Sequence, residues 1–279
     1  MLTAITIDEL LSFRSQCTST KIGFVPTMGA LHEGHLSLVK AAQQAADTVI
    51  VSIFVNPIQF GPNEDFAQYP RRLENDLHLL RQLGVSATFI PNTEEMFPHG
   101  FQTYVTNPTL SSELCGKTRQ SHFQGVLTVL TKLFHLIRPN FAVFGKKDYQ
   151  QLFLIQKMIN DLRFNIEIIP AKIIREPDGL AMSSRNLRLT PEERTQATAL
   201  FEALGLANQK FVSGIKDPQK LIDTMKEFLD QTPLRTEYIE IRNQKDLGLP
   251  HQQINEPCVC LAAAHLGNVR LIDNLELGE

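Results

Sequence analysis

The sequence predicts an α/β protein, with a doubly wound parallel sheet followed by a smaller C-terminal α+β domain. Two patterns indicate this fold class. Strand-like and helix-like segments alternate up to about residue 175, as in parallel sheets with crossover helices. After that point helices come first and strands come last. We therefore predict two domains, residues 1–175 and residues 176–279.

The first crossover unit is predicted between residues 21 and 55. Lys21–Pro26 and Thr48–Val55 are short and mostly apolar, which is typical of strands buried in a parallel sheet. Gly34–Ala46, which lies between them, carries apolar residues at helical spacing. Together the three segments predict a βαβ unit.

The same alternation continues through the rest of the first domain. Pro70 suits the first position of a helix, where its missing N–H has no partner to lose, and Arg138-Pro139 ends a later helix. Five predicted strands indicate an open sheet with helices on both faces. The helices are predicted over Pro70–Leu83, Gly125–Ile137 and Asp148–Leu162, and the strands over Val85–Ile90, Phe141–Phe144 and Ile166–Ile174.

The second domain opens on a helix-start signal. Thr190 is predicted to cap a helix, with Pro191 at its first position and Glu193 closing a capping box. Leu266–Asn268 predicts a hairpin turn around Gly267. The helices are predicted near Glu192–Asn208 and Pro218–Gln231, and the strands near Thr236–Arg242, Val259–His265 and Val269–Asn274.

Composition excludes several classes of protein. A net charge of −3 and a pI of about 6.3 argue against non-specific binding of nucleic acid. No apolar run approaches the roughly 20 residues of a membrane span, and no secretory signal is visible. The four cysteines form no CxxC pair and are too few for a disulfide scaffold. We expect a reduced, soluble, cytoplasmic protein whose core is large enough to fold without disulfide bonds or structural metals.

The segment Pro26–His35, PTMGALHEGH, lies where the first predicted strand turns into the first predicted helix. Doubly wound sheets bind ligands at this edge. Free backbone N–H groups and the helix dipole are expected to make the turn a phosphate site, and Gly29 and Gly34 allow a ligand to approach the backbone closely. The spacing matches neither the P-loop, because His35 replaces the lysine, nor GxGxxG.

His32 and His35 are the main chemical feature of this turn. Two imidazoles three residues apart at a helix start can point the same way and donate N–H groups to a phosphate. One alternative is structural, with one histidine capping the turn and the other packing on the sheet. The other alternative is a zinc site, for which no third ligand is obvious.

Four segments in order along the chain resemble the pantoate–β-alanine ligase (pantothenate synthetase) family, within the HIGH-motif nucleotidyltransferase superfamily. They are Pro26–His35, Asn56–Gly61 (NPIQFG), Gly145–Gln151 (GKKDYQQ) and Met182–Asn186 (MSSRN). The resemblance covers essentially the whole chain, and the four blocks together are far more specific than HxGH alone. It implies a Rossmann-like nucleotide- and pantoate-binding domain followed by a C-terminal lid domain.

The resemblance implies the ATP-dependent ligation of (R)-pantoate and β-alanine to pantothenate. Pantoate attacks the α-phosphorus of ATP, giving pantoyl adenylate and pyrophosphate, and the β-alanine amine then displaces AMP. The implied cofactor is Mg²⁺ bound with ATP, and no metal ligand among the protein side chains is predicted. The implied partners are these small molecules and a second copy in a homodimer, with no nucleic acid and no membrane.

The expected site residues follow position by position from the resemblance. His32, His35, Lys147 and Arg185 are the expected catalytic residues, since each can donate a hydrogen bond to phosphate oxygens. Pantoate is expected at Met28, Asn56, Gln59 and Gln151, and β-alanine at Gln59. The expected ATP-binding residues are Met28, Gly29, Ala30, Leu31, His32, Glu33, Gly34, His35, Gly145, Lys146, Lys147, Asp148, Ile174, Met182, Ser183, Ser184 and Arg185.

The sequence leaves two other functions to weigh. An adenylyltransferase of the same superfamily would need a phosphate-binding patch for its second substrate, whereas Asn56, Gln59 and Gln151 favour an uncharged polyol region. A catalytically silent ATP sensor would be expected to lack some of the phosphate-binding groups, yet Lys147 and Arg185 accompany both imidazoles. Because MSSRN falls in the second predicted domain, closure of that domain over the adenylate is a further hypothesis.

Overall fold

The computed structural model describes residues 1–17, 20–62 and 64–278. The chain forms two compact units, each of which is assembled from two stretches of sequence. Unit 1 comprises residues 1–146 and 151–172, and unit 2 comprises residues 147–150 and 173–279. The chain therefore enters unit 2 twice, first for only four residues within the GKKDYQQ block.

Unit 1 is built on a six-stranded parallel sheet in the order β1-β4-β3-β2-β5-β6. From β2 the chain moves outward to β3 and β4, then returns to add β5 and β6 on the other side. This reversal creates a switch point between β2 and β5, the position where doubly wound sheets bind ligands. The strands are β1 Leu2–Ala4, β2 Ile22–Thr27, β3 Thr48–Ile53, β4 Ala87–Phe89, β5 Phe141–Gly145 and β6 Glu167–Ala171.

The two strands at the switch point separate before they end. β2 pairs with β3 along its whole length. It pairs with β5 only through Gly23 and Phe24, opposite Phe141 and Ala142, although both strands continue for three more residues. Pro26 lies in the part of β2 that has no partner in β5, where its missing N–H costs no ladder hydrogen bond on that side. The carboxyl ends of β2 and β5 are therefore unpaired with each other, as expected at the ligand-binding edge of a doubly wound sheet.

The predicted helices of unit 1 are all present, although their bounds move, and the structure adds unpredicted helices at Ile7–Gln16, Thr93–Met96 and Cys115–Thr118. The predicted helix from Pro70 begins at Leu73, because Arg72, at φ −127° and ψ 49°, has a non-helical backbone. The structure also adds β1 and α1, so the sheet has six strands and not the five predicted; the capping box of Thr6 and Glu9 was the available signal. The helices are α1 Ile7–Gln16, α2 Glu33–Ala45, α3 Leu73–Gln82, α4 Thr93–Met96, α5 Cys115–Thr118, α6 His122–Ile137 and α7 Tyr149–Asp161.

Unit 2 combines three helices with a three-stranded antiparallel sheet in the order β7-β8-β9. The capping box of Thr190 and Glu193, with Pro191 at the first position, is confirmed. The hairpin turn predicted over Leu266–Asn268 is confirmed, although Leu266 still belongs to the strand and the turn is Gly267 and Asn268, with Gly267 at φ +53°. The elements are α8 Pro191–Gln196, α9 Ala199–Val212, α10 Pro218–Leu229, β7 Arg235–Asn243, β8 Cys258–Leu266 and β9 Val269–Glu276.

One predicted helix of unit 2 is divided in the structure. The pattern predicts a continuous helix near Glu192–Asn208, whereas α8 ends with Ala197 as its C-cap and α9 begins with Thr198 as its N-cap. The break lets apolar residues of α9 pack in the same buried cluster as residues of β7 and β8. In the part of the chain that the structure describes, no helix combines the length and the apolar character needed to cross a bilayer.

Candidate active site

The turn between β2 and α2 has an unusual backbone that is held by a carboxylate. Gly29 and Ala30 both adopt left-handed conformations, with φ of +81° and +49°. The two carboxylate oxygens of Asp76, on α3, accept hydrogen bonds from the N–H groups of Ala30 and Leu31, each at 2.8 Å. A Cβ atom at Gly29 would lie 3.0 Å from Oδ2 of Asp76 and 3.0 Å from Cγ2 of Ile53, so both the space and the backbone angle favour glycine there.

Four backbone N–H groups of this turn, which were expected to be free to bind phosphate, already donate hydrogen bonds to side chains. Two of them are bound by Asp76. The N–H of Gly29 donates to Oγ1 of Thr27 at 3.2 Å, and the N–H of Gly34 donates to Nδ1 of His32 at 3.1 Å. The prediction that these groups are free is wrong, because side chains in and near the turn already use them. Phosphate recognition from these four positions therefore cannot rest on their backbone N–H groups.

The two imidazoles lie together at the start of α2. His32 is the N-cap residue of the helix and accepts the Gly34 N–H through Nδ1, so the proton of the neutral ring is on Nε2, on the opposite side. The ring centroids of His32 and His35 are 4.1 Å apart, with the planes inclined by 41°. The structural alternative is thus partly correct, since His32 caps a helix, and the cap also defines which nitrogen of His32 is a donor.

Asn56 and Gln59 form one hydrogen-bonded pair beyond the carboxyl end of β3. Nδ2 of Asn56 donates both to Oε1 of Gln59 at 3.0 Å and to the carbonyl oxygen of Gly125 at 3.1 Å. Asn56 is only 1% exposed, and its buried Oδ1 has no hydrogen-bond partner among the described residues. With both N–H groups used, Asn56 can offer a ligand only an acceptor, which suits a hydroxyl and not a carboxylate.

The N-terminus of α6 positions this amide pair, a role that the sequence did not predict. Nδ1 of His122 donates to the carbonyl oxygen of Gln59 at 3.0 Å. A Cβ atom at Gly125 would lie 2.4 Å from the carbonyl oxygen of Ile58 and 2.5 Å from Cα of Gln59, so only glycine allows α6 to approach so closely. A glycine at the start of a predicted helix was the one available signal for this contact.

A hydrogen bond joins the amide pair to the turn after β2. Nε2 of Gln59 donates to Sδ of Met28 at 3.0 Å. Because parallel strands end at the same edge of the sheet, the loops after β2 and β3 are neighbours there. At the end of β5, an added Cβ at Gly145 would meet no described atom within 4 Å, so the backbone is open to a ligand. Lys146 and Gln151 of the same block are half-buried.

Unit 2 holds the other expected site residues, beginning with Lys147. Burial lowers the pKa of the Lys147 ammonium. The carboxylates of Asp148 and Asp273 oppose this shift, whereas the cations Arg185 and Arg175 reinforce it. Lys147 therefore belongs to a cluster of three cations and two carboxylates, whose excess of positive charge can attract an anion.

A buried ion pair supports this cluster from β9. The guanidinium of Arg175 donates to both oxygens of Asp273, at 2.6 and 2.9 Å, and lies over the ring of Phe201 at 3.8 Å. Burial raises the pKa of Asp273, and the hydrogen bonds from Arg175 oppose that shift. Nδ2 of the adjacent Asn274 donates to the carbonyl oxygen of Lys147 at 2.9 Å. Asp273 and Asn274 thus tie Lys147 to the sheet of unit 2, which no sequence motif indicated.

The MSSRN block and Ile174 are adjacent within unit 2. The N–H of Met182 donates to the carbonyl oxygen of Ile174 at 3.0 Å. Oγ of Ser183 accepts the N–H of Arg185 at 3.2 Å at the start of a short 3₁₀ helix, and Ser184 is buried. The backbone of Ile174 and the MSSRN block, with its hydroxyl and guanidinium side chains, therefore lie close together.

Comparison with known proteins identifies the family. A family model described as pantoate–β-alanine ligase matches residues 3–276 of the chain. The chain belongs to the pantoate–β-alanine ligase family. The family resemblance seen in the four sequence blocks is thereby confirmed, and the doubly wound α/β class is confirmed by the parallel sheet of unit 1 and by solved relatives.

Individual members of the pantoate–β-alanine ligase family match over nearly their whole length. The chain is 48% identical over 276 residues to a pantothenate synthetase of Thermotoga petrophila, covering 98% of each chain. It is 51% identical over 258 residues to one of Carboxydothermus hydrogenoformans, covering 92% of this chain and 91% of that one.

Solved structures of the family have the same fold as this chain over nearly its whole length. A crystal structure of pantothenate synthetase from Thermus thermophilus matches with a TM-score of 0.93 at 42% identity, covering 99% of both chains. A pantoate–β-alanine ligase from Francisella tularensis, solved with β-γ ATP and β-alanine, matches with a TM-score of 0.82 at 36% identity, covering 100% of this chain and 98% of that one.

Proposed function

We propose that this chain catalyses the ATP-dependent ligation of (R)-pantoate and β-alanine to pantothenate through a pantoyl adenylate. The observation that carries the proposal is the contact of Gln59 with Met28. It joins an amide pocket suited to a polyol acid to a turn that bears two imidazoles. An acid bound in the pocket would lie beside a phosphate bound at the turn. Membership of the pantoate–β-alanine ligase family supports the same reaction.

In the first step, a carboxylate oxygen of pantoate attacks the α-phosphorus of ATP. The bond from that phosphorus to the bridging oxygen breaks, and pyrophosphate leaves with the electron pair. Charge grows on the phosphate oxygens in the transition state, and N–H groups of His32 and His35 stabilise it. Pyrophosphate is a stable anion, so His35 acts as a hydrogen-bond donor and need not transfer a proton.

In the second step, the neutral amine of β-alanine attacks the acyl carbon, the bond from that carbon to the phosphate oxygen breaks, and AMP leaves with the electron pair. The extra proton on the nitrogen passes to water. Adenylation is needed because a carboxylate oxygen by itself is a poor leaving group. The protein contributes chiefly by holding the amine and the acyl carbon in an attacking geometry. We assign the orientation of β-alanine to Gln59, which also contacts pantoate.

Pantoate is held by neutral groups. Asn56 accepts a hydrogen bond from a pantoate hydroxyl through Oδ1, and Gln59 donates through Nε2. Gln151 supplies a second amide, and Met28 provides an apolar contact. Neutral donors bind the carboxylate without a cation that would weaken it as a nucleophile. A pocket of this chemistry also argues against an adenylyltransferase, whose second substrate carries a phosphate.

We assign ATP to residues of the GKKDYQQ and MSSRN blocks, to Ile174 and to the turn after β2. Lys147, Arg185, Ser183 and Ser184 take the phosphates, because ammonium, guanidinium and hydroxyl groups all donate to phosphate oxygens. Asp148 takes the ribose hydroxyls. Gly145, Ile174 and Met182 are assigned to the adenine. Lys146 and residues 28–35 complete the nucleotide contacts, through groups other than the four backbone N–H groups of the turn that are already bound.

Mg²⁺ is proposed to enter with ATP. Within residues 1–17, 20–62 and 64–278, no cluster of three His, Cys, Asp or Glu side chains could hold a metal ion. The residues present fit an ion bound through phosphate oxygens and water, which is a common mode for Mg²⁺ in ATP-dependent enzymes. The ion would neutralise part of the triphosphate charge, and we assign no side chain to it.

We propose the role of nucleotide- and pantoate-binding domain for unit 1 and that of a lid domain for unit 2. Closure would exclude water from an adenylate that hydrolyses readily. From the family resemblance we also propose a cytoplasmic homodimer. X-ray scattering with and without ATP plus pantoate tests closure, and sedimentation tests the dimer. An unchanged scattering profile would refute the first proposal, and a monomer would refute the second.

Exchange of labelled pyrophosphate into ATP tests the proposed reaction directly. With β-alanine omitted, the first step is reversible, so label should enter ATP only when pantoate is present. Exchange without pantoate would indicate another acceptor and favour an adenylyltransferase. Absence of exchange with pantoate, in protein that still binds ATP, would favour a catalytically silent sensor.

Gln59→Ala is predicted to raise the KM for pantoate in this exchange by about tenfold or more, since a hydrogen bond to a charged ligand is worth roughly 1.5–3 kcal/mol. The KM for ATP should change little. Gln82→Ala, which removes an exposed amide from the end of α3, is the matched control. An unchanged pantoate KM in Gln59→Ala would remove Gln59 from the pantoate site.

A further inference from the structure

Asp76 lies outside the four motif blocks, yet it contacts the most important of them. It is 1% exposed, and each of its carboxylate oxygens accepts one N–H from the turn, from Ala30 and from Leu31. The two residues it binds are 46 and 45 positions away in the sequence. Asp76 thus links the first turn of α3 to the segment that leads into His32.

The Asp76 carboxylate is bound by backbone amide groups and not by an ion pair. Among the described residues, no lysine, arginine or histidine forms an ion pair with it. Burial raises the pKa of the Asp76 carboxyl, opposed by the hydrogen bonds from Leu31 and Ala30 and by the charge of Arg72. A buried carboxylate without a bound cation is costly, so its two charge-assisted hydrogen bonds hold the turn strongly.

The backbone that Asp76 holds is one that the chain would not otherwise favour. Ala30, with φ +49°, is a non-glycine residue in the left-handed region, and Gly29 precedes it at φ +81°. The direction of the chain at Ala30 and Leu31 determines where His32 begins α2. His32 in turn caps the helix, and the first turn of α2 places His35 against it.

We propose that Asp76 is a positioning residue for adenylation: by fixing the left-handed turn at Ala30 and Leu31, it holds the imidazoles of His32 and His35 in the geometry that stabilises the α-phosphorus transition state. This proposal rests on the proposed function. It assigns Asp76 no contact with substrate. It predicts an effect on kcat and not on pantoate binding, because two hydrogen bonds with α6 hold Asn56 and Gln59 in addition to the contact of Gln59 with Met28.

Asp76→Asn tests the proposal. The amide has the same shape, but its NH₂ group must face one of the two backbone N–H groups, so one hydrogen bond becomes a donor–donor contact. We expect kcat for pantoate-dependent exchange to fall by about 10- to 100-fold, the range expected for a small misplacement of catalytic groups, with pantoate KM within about twofold. Glu74→Gln, which removes an exposed charge from the same turn of α3, should leave both constants unchanged.

A second variant distinguishes positioning from a general loss of stability. Ala30→Gly lowers the cost of the left-handed turn, so adding it to Asp76→Asn should recover part of the lost kcat. Hydrogen exchange supplies a readout independent of activity, with the N–H groups of Ala30 and Leu31 protected in the parent protein and exchanging faster in Asp76→Asn.

Each outcome bears on one proposal. If Asp76→Asn keeps the parent kcat, or if its pantoate KM rises instead, the positioning role is refuted. The same holds if kcat falls without any recovery on adding Ala30→Gly. If the parent protein shows no pantoate-dependent exchange, the proposed function fails, while faster hydrogen exchange at Ala30 and Leu31 in Asp76→Asn would still support the bracing of the turn.

Discussion

Replacing His35 with alanine is expected to lower the rate of pantoate-dependent pyrophosphate exchange by about 10²- to 10³-fold, the usual loss for one donor to a developing oxyanion. The reason is that His35 shares the start of α2 with His32, at a centroid distance of 4.1 Å, and the two rings together face the growing phosphate charge in the proposed first step. The measurement is exchange of labelled pyrophosphate into ATP at saturating pantoate.

The fold should survive the His35→Ala change, because His35 is only half-buried and α2 keeps its His32 cap. His135→Ala, which removes an exposed imidazole near the end of α6, is the matched control and should exchange at the parent rate. His35→Asn keeps an N–H donor and should lie between the parent and His35→Ala. A His35→Ala variant with the parent rate would remove this imidazole from the reaction.

Replacing Lys147 with methionine is expected to lower kcat/KM for ATP by about 10²-fold, since a cation held against a phosphate typically supplies several kcal/mol. Methionine keeps much of the apolar stem of the lysine side chain, so the fall in kcat/KM measures the effect of removing the charge. Lys157→Met, on the exposed side of α7, removes a lysine paired only with Asp161 at the surface and is the control. Equal kcat/KM in Lys147→Met and the parent would contradict the phosphate role of Lys147.

The same lysine should make ATP capture sensitive to alkaline pH. Burial lowers the pKa of Lys147 below its ordinary value of 10.5, so the ammonium loses its proton at a lower pH than an exposed lysine does. Only the protonated form attracts phosphate, and kcat/KM for ATP should therefore fall as pH rises through that lowered pKa. Lys147→Arg, which stays charged, should have a lower kcat/KM for ATP than the parent, but that kcat/KM should not fall at alkaline pH. An alkaline decline that persists in Lys147→Arg would assign it to another group.

The sequence predicted well those features that depend on neighbouring residues. The capping box at Thr190, the hairpin turn at Gly267 and the βαβ unit around α2 are confirmed, because caps, turns and periodicity are local. Where local patterns were ambiguous, boundaries moved. The helix expected from Pro70 starts three residues later at Leu73, and one long helix became α8 and α9.

The candidate site was predicted only as far as its motifs extend. Met28, Asn56 and Gln59 are in contact in the structure. Their supports were not predicted, because no motif contains them. Gly125 and His122 approach Gln59 from α6, and on the other unit Asp273 pairs with Arg175 beside Lys147. The expected backbone phosphate cradle was wrong for the same reason, since the acceptors that occupy its N–H groups include a distant carboxylate.

The order of residues along the chain alone determined the α/β class, the family and the residue types available for chemistry, because hydrophobic periodicity and motif spacing are written in neighbouring positions. The tertiary structure alone decided which of those groups are already engaged, which nitrogen of His32 carries the proton and which atom of Asn56 is left for a ligand. The bond that fixes the His32 proton is local, but the bonds of Asn56 with Gly125 and of Asp76 with the turn join segments far apart in sequence. The geometry of those distant bonds arises only when the sheet, α3 and α6 pack together.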